Sequence, residues 1–411
     1  MIRRFEDERA EEALLATVEV GRQDADAGHL DAAERCFQRV LRAARGTGNR
    51  AEIKACSSLV TIYSREQRDF ETLPLARRLV ENARESGEAS LLCRGLAAIA
   101  GAFNDIQDYP RAEAALDDLE EAIPLLSAAD APRYRAIVPG TRSDIALARG
   151  DLALAQEELE RFRLAFTRDM VDGEKRWLWV HEAHVLLHAG RPRDAKELLA
   201  CARVLPVPSA LGGLAIEYLE TWATLELDGP IAALVPAEQM LFALDPSPHD
   251  AFGSSQRIRY LTLTGDLLRE HCDSPDLLRL AYDLAGTAVI ARMFQLDAFV
   301  RRTPVLGRLT ADDETALAEY RHRFRQQQTA LLKSVAKLFT FMRRTQHWIP
   351  LPLSESRDSL ALICPWCERL CSAGDVWVPI GHYVPEEKDL RVSHSICPSC
   401  TRLLDSSISR S

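Results

Sequence analysis

Hydrophobic positions recur with a helical period from about residue 10 to residue 300, and few of them alternate as strand residues would. One local pattern repeats along this stretch. A helix ends near a glycine or polar residue, a tight turn follows, and the next helix begins with a small residue and then a large apolar one. The turns lie at residues 28, 68, 107, 150 and 190, so they are 40, 39, 43 and 40 positions apart. This steady period predicts stacked helical hairpins.

The residues of the first hairpin carry a family resemblance. Gly21, Gly28, Ala33 and Phe37 fall on the motif positions of the tetratricopeptide repeat, and the chain resembles that family in a long-helix bacterial form. The second repeat departs from the motif, with Leu73 where a small residue is expected. The resemblance is clear over residues 10–205 and degenerate over 206–305. It implies a mostly α-helical solenoid over residues 1–305, which binds peptides or proteins on a concave surface lined by the first helices.

The resemblance also assigns side chains to that groove. Their signs are mixed, which favours a peptide ligand, although each could equally belong to a solvated helix face. The candidates are Arg22, Asp26, Arg65, Asn104, Asp144, Trp177, His184 and His188, with Glu66 and Asp105 beside them. A metalloprotease motif starting at His181 is excluded, because position 185, where the second histidine is required, is valine. His184 and His188 share a helix face, for which a groove or structural role is favoured over a weak metal site.

A second helical region follows at residues 310–348. Thr310 is a suitable N-cap, acidic residues occupy the first turn, and no proline or glycine occurs from 311 to 348. An imperfect heptad runs through it at Leu317, Phe324, Leu331 and Leu338. Two interpretations stay open: a cap packed on the end of the solenoid, which is favoured, or a coiled coil that forms a homodimer through residues 311–347.

Residues 349–358 have the composition of a linker, and the segment 359–404 carries two Cys-x-x-Cys pairs. The four thiolates match a closed tetrahedral site for one structural zinc ion, with Cys364, Cys367, Cys397 and Cys400 as ligands. His394 is an alternate ligand or a hydrogen-bonding neighbour of the site. Strands are expected at 360–363 and 376–380, which gives a small α/β or β-knuckle module, and residues 405–411 are expected to form a flexible tail. A pair of redox Cys-x-x-Cys motifs is the less favoured reading.

This segment has a resemblance of its own, over about 45 residues. It looks like a zinc-binding module found at the ends of bacterial sensory and response-regulator proteins, which implies a signalling context. The residues that carry the likeness are Cys364-Pro-Trp-Cys367, Trp377, Tyr383 and Ser393-His394-Ser395-Ile396-Cys397-Pro-Ser-Cys400. Ser395 stands where that module usually has glycine, and Cys371 is an additional thiol.

Composition narrows the function classes. The chain has a net charge of −10, no apolar run long enough to span a membrane, and acidic residues close to its first methionine, so we expect a cytoplasmic protein without a membrane partner. Residues 311–347 carry a net charge of +3, from seven basic and four acidic side chains. Residues 348–411 carry −2, from six and eight. An acidic zinc segment argues against nucleic acid as a partner.

The sequence contains no P-loop, nucleophile elbow or Rossmann glycine pattern, and a zinc ion with four thiolates has no open position for substrate. We therefore expect no enzyme. The favoured hypothesis is a non-catalytic scaffold or regulator in bacterial signalling that binds a protein or peptide. The alternatives are a nucleic-acid-binding transcriptional regulator, which would use the zinc module and the basic long helix, and a redox- or zinc-responsive sensor.

Overall fold

The computed structural model describes residues 2–44, 48–66, 68–165, 172–205, 213–242, 255–270, 280, 281, 284, 288, 291, 310–323 and 326, and four short strands between 360 and 394. The chain divides into two compact units. The first contains residues 1–212, 254–256 and 295–320, and the second contains residues 213–253, 257–294 and 321–411.

The described chain is mostly helical. The helices of the first unit are α1 (Ile2–Asp26), α2 (Leu30–Ala43), α3 (Arg50–Arg65), α4 (Asp69–Ser86), α5 (Ala89–Asp105), α6 (Tyr109–Ala122), α7 (Ala131–Ala148), α8 (Leu152–Ala165), α9 (Asp172–His188) and α10 (Pro192–Arg203), with a 3-10 turn at Ile123–Leu125. The second unit contains α11 (Leu214–Asp228), α12 (Pro230–Phe242) and α13 (Ser255–Glu270). A further helix, α14, covers residues 311–323, of which those up to Tyr320 belong to the first unit.

The five predicted turns all separate consecutive helices. Three of them contain a glycine with left-handed backbone, at φ values of 82° for Gly28, 78° for Gly150 and 70° for Gly190. Glycine suits this position because a Cβ atom disfavours positive φ. The third turn has Gln107 there instead, at φ 63°.

Four of the five hairpins have a small residue early in the second helix, whereas the second hairpin has the buried Leu73 there. Ala33, Ala112, Ala155 and Ala195 are fully buried, and a large apolar side chain one turn later fills the space between the helices. Gly21 on α1 allows an equally close approach, since a Cβ atom there would lie 2.8 Å from the ring of Phe37. Consecutive hairpins therefore share one continuous core from Val18 to Ile145.

The helix α14 packs on the side of the second and third hairpins. Ala316, Leu317 and Tyr320 join the core of α1–α7, and the ring of Tyr320 lies 5.0 Å from that of Phe70 on α4. Most of the predicted helix 310–348 lies outside the described residues, so the cap interpretation stays a prediction. Of its heptad positions, Leu317 is buried within the chain, and those at 324, 331 and 338 lie outside the described residues, so the coiled-coil interpretation stays a prediction.

A four-stranded sheet lies in the second unit, with β1 at Leu360–Ile363, β2 at Arg369–Ser372, β3 at Val376–Pro379 and β4 at Arg391–His394. Its strand order is β3-β2-β1-β4. The predicted strands at 360–363 and 376–380 are thus confirmed, within one residue at the end of the second. The neighbours β1 and β2 are antiparallel, whereas β1 and β4 are parallel, with Ile363 opposite His394. Among the described helices, none combines the length and apolar character needed to span a membrane.

Candidate functional site

The first helices of successive hairpins contact one another, from α1 through α3, α5 and α7 to α9. They form a continuous surface that we call the first-helix face. On α3 this face carries Lys54, Thr61 and Arg65, which are exposed and about one or two turns apart. On α5 it carries the exposed Arg94, whose Nη1 donates a hydrogen bond of 2.6 Å to Ser57 Oγ on α3. The face is therefore polar and bridged between hairpins.

The predicted groove residues differ in their exposure. Arg22, Asp26, Arg65 and His188 are exposed, whereas Glu66, Asp105, Asp144, Trp177 and His184 are half-buried. Asn104 is only 5% exposed, so it belongs to the core at the end of α5 rather than to the surface. The next residue, Asp105, lies on the same side of α5 as Arg94. Asp105, and not Asn104, therefore reaches the first-helix face.

Two of the predicted residues meet in a cluster on α7, α8 and α9. Asp144 Oδ1 lies 3.1 Å from Nδ1 of His181, which is buried. The Trp177 ring packs edge-on against Phe162, at 4.6 Å between centroids, and against His181, at 5.4 Å. Gly140 allows this contact, because a Cβ atom there would lie 3.1 Å from the indole of Trp177. Trp177 and His181 thus connect α9 to α7 and α8. Asp144 is only partly accessible at the first-helix face.

The remaining histidines lie together on α9, with the ring centroids of His184 and His188 5.1 Å apart. Although His188 is exposed overall, partial desolvation of its ring lowers its pKa, which favours the neutral form. Within the residues that the structure describes, no group of three or more His, Cys, Asp or Glu side chains is arranged to hold a metal ion. The pair alone supplies at most two ligands.

The structure contains a buried charge cluster between the first two hairpins that the sequence did not predict. Arg68 Nη1 lies 2.8 Å from Glu34 and 3.0 Å from Glu66, and its Nε lies 3.3 Å from Glu71. The guanidinium also stacks on the Tyr63 ring at 3.9 Å. Burial alone would lower the pKa of Arg68, but Glu71, Tyr63 and Glu34 outweigh it and raise the pKa. The only sequence signal was a polar turn residue, which gives no hint of partners 34 positions away.

The four predicted zinc ligands, Cys364, Cys367, Cys397 and Cys400, lie outside the described residues. The strands that flank them are described. Cys364 directly follows the last residue of β1, and Cys397 follows the last residue of β4 by three positions. Because β1 and β4 are parallel and end on the partnered residues Ile363 and His394, the chain leaves both strands at the same edge of the sheet. This register fits a site to which both cysteine pairs contribute.

Comparison with models of known protein families finds no match, and comparison with curated proteins finds no similar sequence.

Proposed function

We propose that this chain is a tetratricopeptide-like scaffold that binds a partner protein or peptide on its first-helix face, acts in bacterial signalling without catalysis, and carries one structural zinc ion. The observation that supports this function is the contact between successive first helices, which joins their exposed polar side chains into one surface. A surface extended over several repeats can contact a peptide along its length.

The charges of this surface favour a ligand of mixed sign. Lys54, Arg65 and Arg94 provide donors on α3 and α5, while Asp105 and Asp144 provide acceptors on α5 and α7. A peptide with acidic residues toward the first hairpins and a basic residue toward the fourth would match this order. Such exposed pairs favour association rate and register more than affinity, so the complex should weaken as salt concentration rises.

The zinc proposal rests on the donor set and on the strand register. Four thiolates would close the coordination shell, so the ion would fasten the ends of β1 and β4 together and would not activate water. A module of this size rarely builds a stable core without such a crosslink. His394, the last residue of β4, lies at the edge of the sheet that precedes both cysteine pairs.

Affinity purification with a charge-reversed face tests the binding proposal. Arg65→Glu changes the first-helix face, and Arg39→Glu makes the same substitution at an exposed position of the second helix α2. We expect Arg65→Glu to lose a partner that the unmodified chain and Arg39→Glu both retain, and Cys397→Ser to retain it too. Equal recovery by both arginine variants would contradict the proposed surface. Loss in Cys397→Ser alone would assign recognition to the zinc segment.

A further inference from the structure

The start of α14 lies at one end of a cleft that the second and third hairpins form. This cleft of about 300 Å³ runs between α4, α5 and α6 and reaches Thr310 and Asp312 at the start of α14. Its apolar wall includes Leu96, Ile99 and Phe103, and basic residues line its rim. We call this surface the α4–α6 groove. The second helices α4 and α6 and one side of the first helix α5 line this groove. Its α5 residues differ from Arg94 and Asp105, which mark the first-helix face.

Two arginines of the groove hold the first turn of α14. The Arg77 guanidinium contacts both carboxylate oxygens of Asp313, at 2.6 to 2.8 Å, and Asp313 is fully buried. The Arg111 guanidinium donates hydrogen bonds to Asp312, at 2.8 Å, and to Glu319, at 3.0 Å. These hydrogen bonds, that to Asp312 above all, raise the pKa of Arg111. A charged pair with hydrogen bonds to more than one acceptor fixes orientation as well as position.

The N-terminus of α14 has a side-chain cap of its own. Asp313 N donates a hydrogen bond of 3.1 Å to Thr310 Oγ1, and Thr310 N donates one of 3.2 Å to Asp313 Oδ2. This reciprocal arrangement satisfies two backbone donors at the start of α14. Asp313 therefore serves both the cap and the contact with Arg77, which couples helix formation to docking.

The apolar contacts follow a helical spacing. Ala316, Leu317 and Tyr320 face the core, while Glu314, Thr315 and Ala318 are exposed. Acids in the first turn followed by apolar anchors three and four positions apart are the features by which grooves recognise amphipathic helices. Residues 310–323 alone are too few to form a stable helix in water, so the contacts with the groove support the helical form of this segment.

We propose that residues 310–320 are an intramolecular ligand that docks reversibly in the α4–α6 groove, a site that recognises amphipathic helices with an acidic first turn. The contact joins the repeats to the chain that continues toward the zinc segment, and its release exposes both an apolar groove and two arginines. The inference rests on the contacts of α14 and is independent of the function proposed for the first-helix face.

Hydrogen exchange rates of the full-length chain distinguish an α14 helix that undocks reversibly from one that stays packed. We expect backbone amides of residues 314–320 to exchange at least ten-fold faster than those of α4 and α6, because undocking leaves the hairpins folded. Arg111→Glu should accelerate exchange of this segment a further ten-fold or more. Arg84→Glu is the matched control, since Arg84 lines the same cleft but its ion pair is with Asp118 on α6.

A second substitution tests the specific ion pair. Adding Asp312→Arg to Arg111→Glu restores opposite charges across the contact, so protection of residues 314–320 should recover at least three-fold. Exchange of α14 at the same rate as α4 and α6 in the unmodified chain, or the absence of recovery in the double variant, would overturn reversible docking.

A peptide covering residues 308–323 tests whether the groove recognises the helix in trans. The tethered helix competes at an effective concentration of the order of millimolar, so the unmodified chain should bind the labelled peptide at least ten-fold more weakly than a full-length Leu317→Ala variant. The same peptide with Leu317→Ala should not bind either chain. No binding to the variant would overturn the recognition site. Protection of 314–320 that falls when the unmodified protein is diluted would show that a second copy supplies the helix, which contradicts docking within one chain.

Discussion

At the scale of single residues, the turn between α5 and α6 differs from its equivalents. Gln107 adopts φ 63°, whereas the corresponding turns at Gly150 and Gly190 use glycine at 78° and 70°. A left-handed conformation costs an ordinary residue about 1–2 kcal/mol. The chain therefore contains both a strained turn and an unstrained one in the same structural role.

We expect Gln107→Gly to raise the free energy of unfolding by up to about 1 kcal/mol, because the relief of strain is partly offset by the backbone entropy of glycine. Gly150→Ala should lower it by about 1–2 kcal/mol. A Cβ atom at position 150 meets no neighbour within 4 Å, so the effect there is one of backbone conformation. Urea unfolding followed by circular dichroism measures both. Equal effects of the two substitutions would contradict the assignment of strain.

The cysteine thiols of the first unit differ in burial and therefore in pKa. Burial raises the pKa of Cys56 to about 12 and that of Cys93 to about 11, whereas Cys201 is exposed. Because the thiolate is the nucleophile, a thiol with a pKa near 12 is ionised in only about one molecule in ten thousand at pH 8.

In the folded protein at pH 8, iodoacetamide should therefore alkylate Cys201 at least about 100-fold faster than Cys56 or Cys93. Peptide mapping by mass spectrometry measures each rate. In urea the three rates should become similar, which serves as the control. Rapid alkylation of Cys56 without denaturant would mean that the core of α3 is open in solution.

At the scale of elements, the Arg68 cluster joins the first two hairpins through charge. Arg68 is 3% exposed and contacts Glu34 on α2, Glu71 on α4 and Glu66 in the turn between α3 and α4. Removal of one member of a buried ion cluster leaves the others without compensation.

We expect Arg68→Met to lower the free energy of unfolding by about 3–5 kcal/mol, because buried carboxylates lose their counter-charge. Arg84→Met is the matched control: its pair with Asp118 is exposed on both sides and should contribute less than about 1 kcal/mol. Urea unfolding of both variants measures the difference. If Arg68→Met were no more destabilising than Arg84→Met, the cluster would have no structural importance.

Local patterns were sufficient to predict the helical hairpins. Small residues such as Ala33 and Ala112, followed by Phe37 and Leu116, carry the spacing of each second helix, and the burial of all four confirms it. Short apolar runs beside the cysteine pairs predicted strands at 360–363 and 376–380, and the structure has strands at 360–363 and 376–379.

Contacts between distant residues could not be predicted in the same way. The pair of Arg77 and Asp313 spans 236 positions, and no local pattern in either segment indicates the other. The heptad containing Leu317 is compatible with a cap, a coiled coil or the groove on the side of α4 and α6. The motif position of Asn104 predicted a surface residue. Its side chain is buried in the core instead, and the neighbouring Asp105 reaches the first-helix face.

At the scale of the whole molecule, the proposed zinc ion gives a direct prediction. We expect one zinc per chain by elemental analysis, and a loss of most of it in Cys397→Ser, since three thiolates hold the ion less tightly than four. Cys201→Ser, at an exposed thiol of α10, should retain the full content. A zinc content unchanged in Cys397→Ser would remove this residue from the site. Release of zinc by peroxide from the unmodified protein would support the sensor alternative.

The central claim is that the first-helix face binds the partner, and site-specific photo-crosslinking in cells tests it most directly. A benzophenone amino acid replaces Thr61, on the exposed stripe of α3, or Arg35, at an exposed position of α2. The proposal predicts a discrete crosslinked product from position 61 that is absent from position 35 and is abolished by Arg65→Glu. A product from position 35 but not from position 61, or no effect of Arg65→Glu on the product, would contradict it.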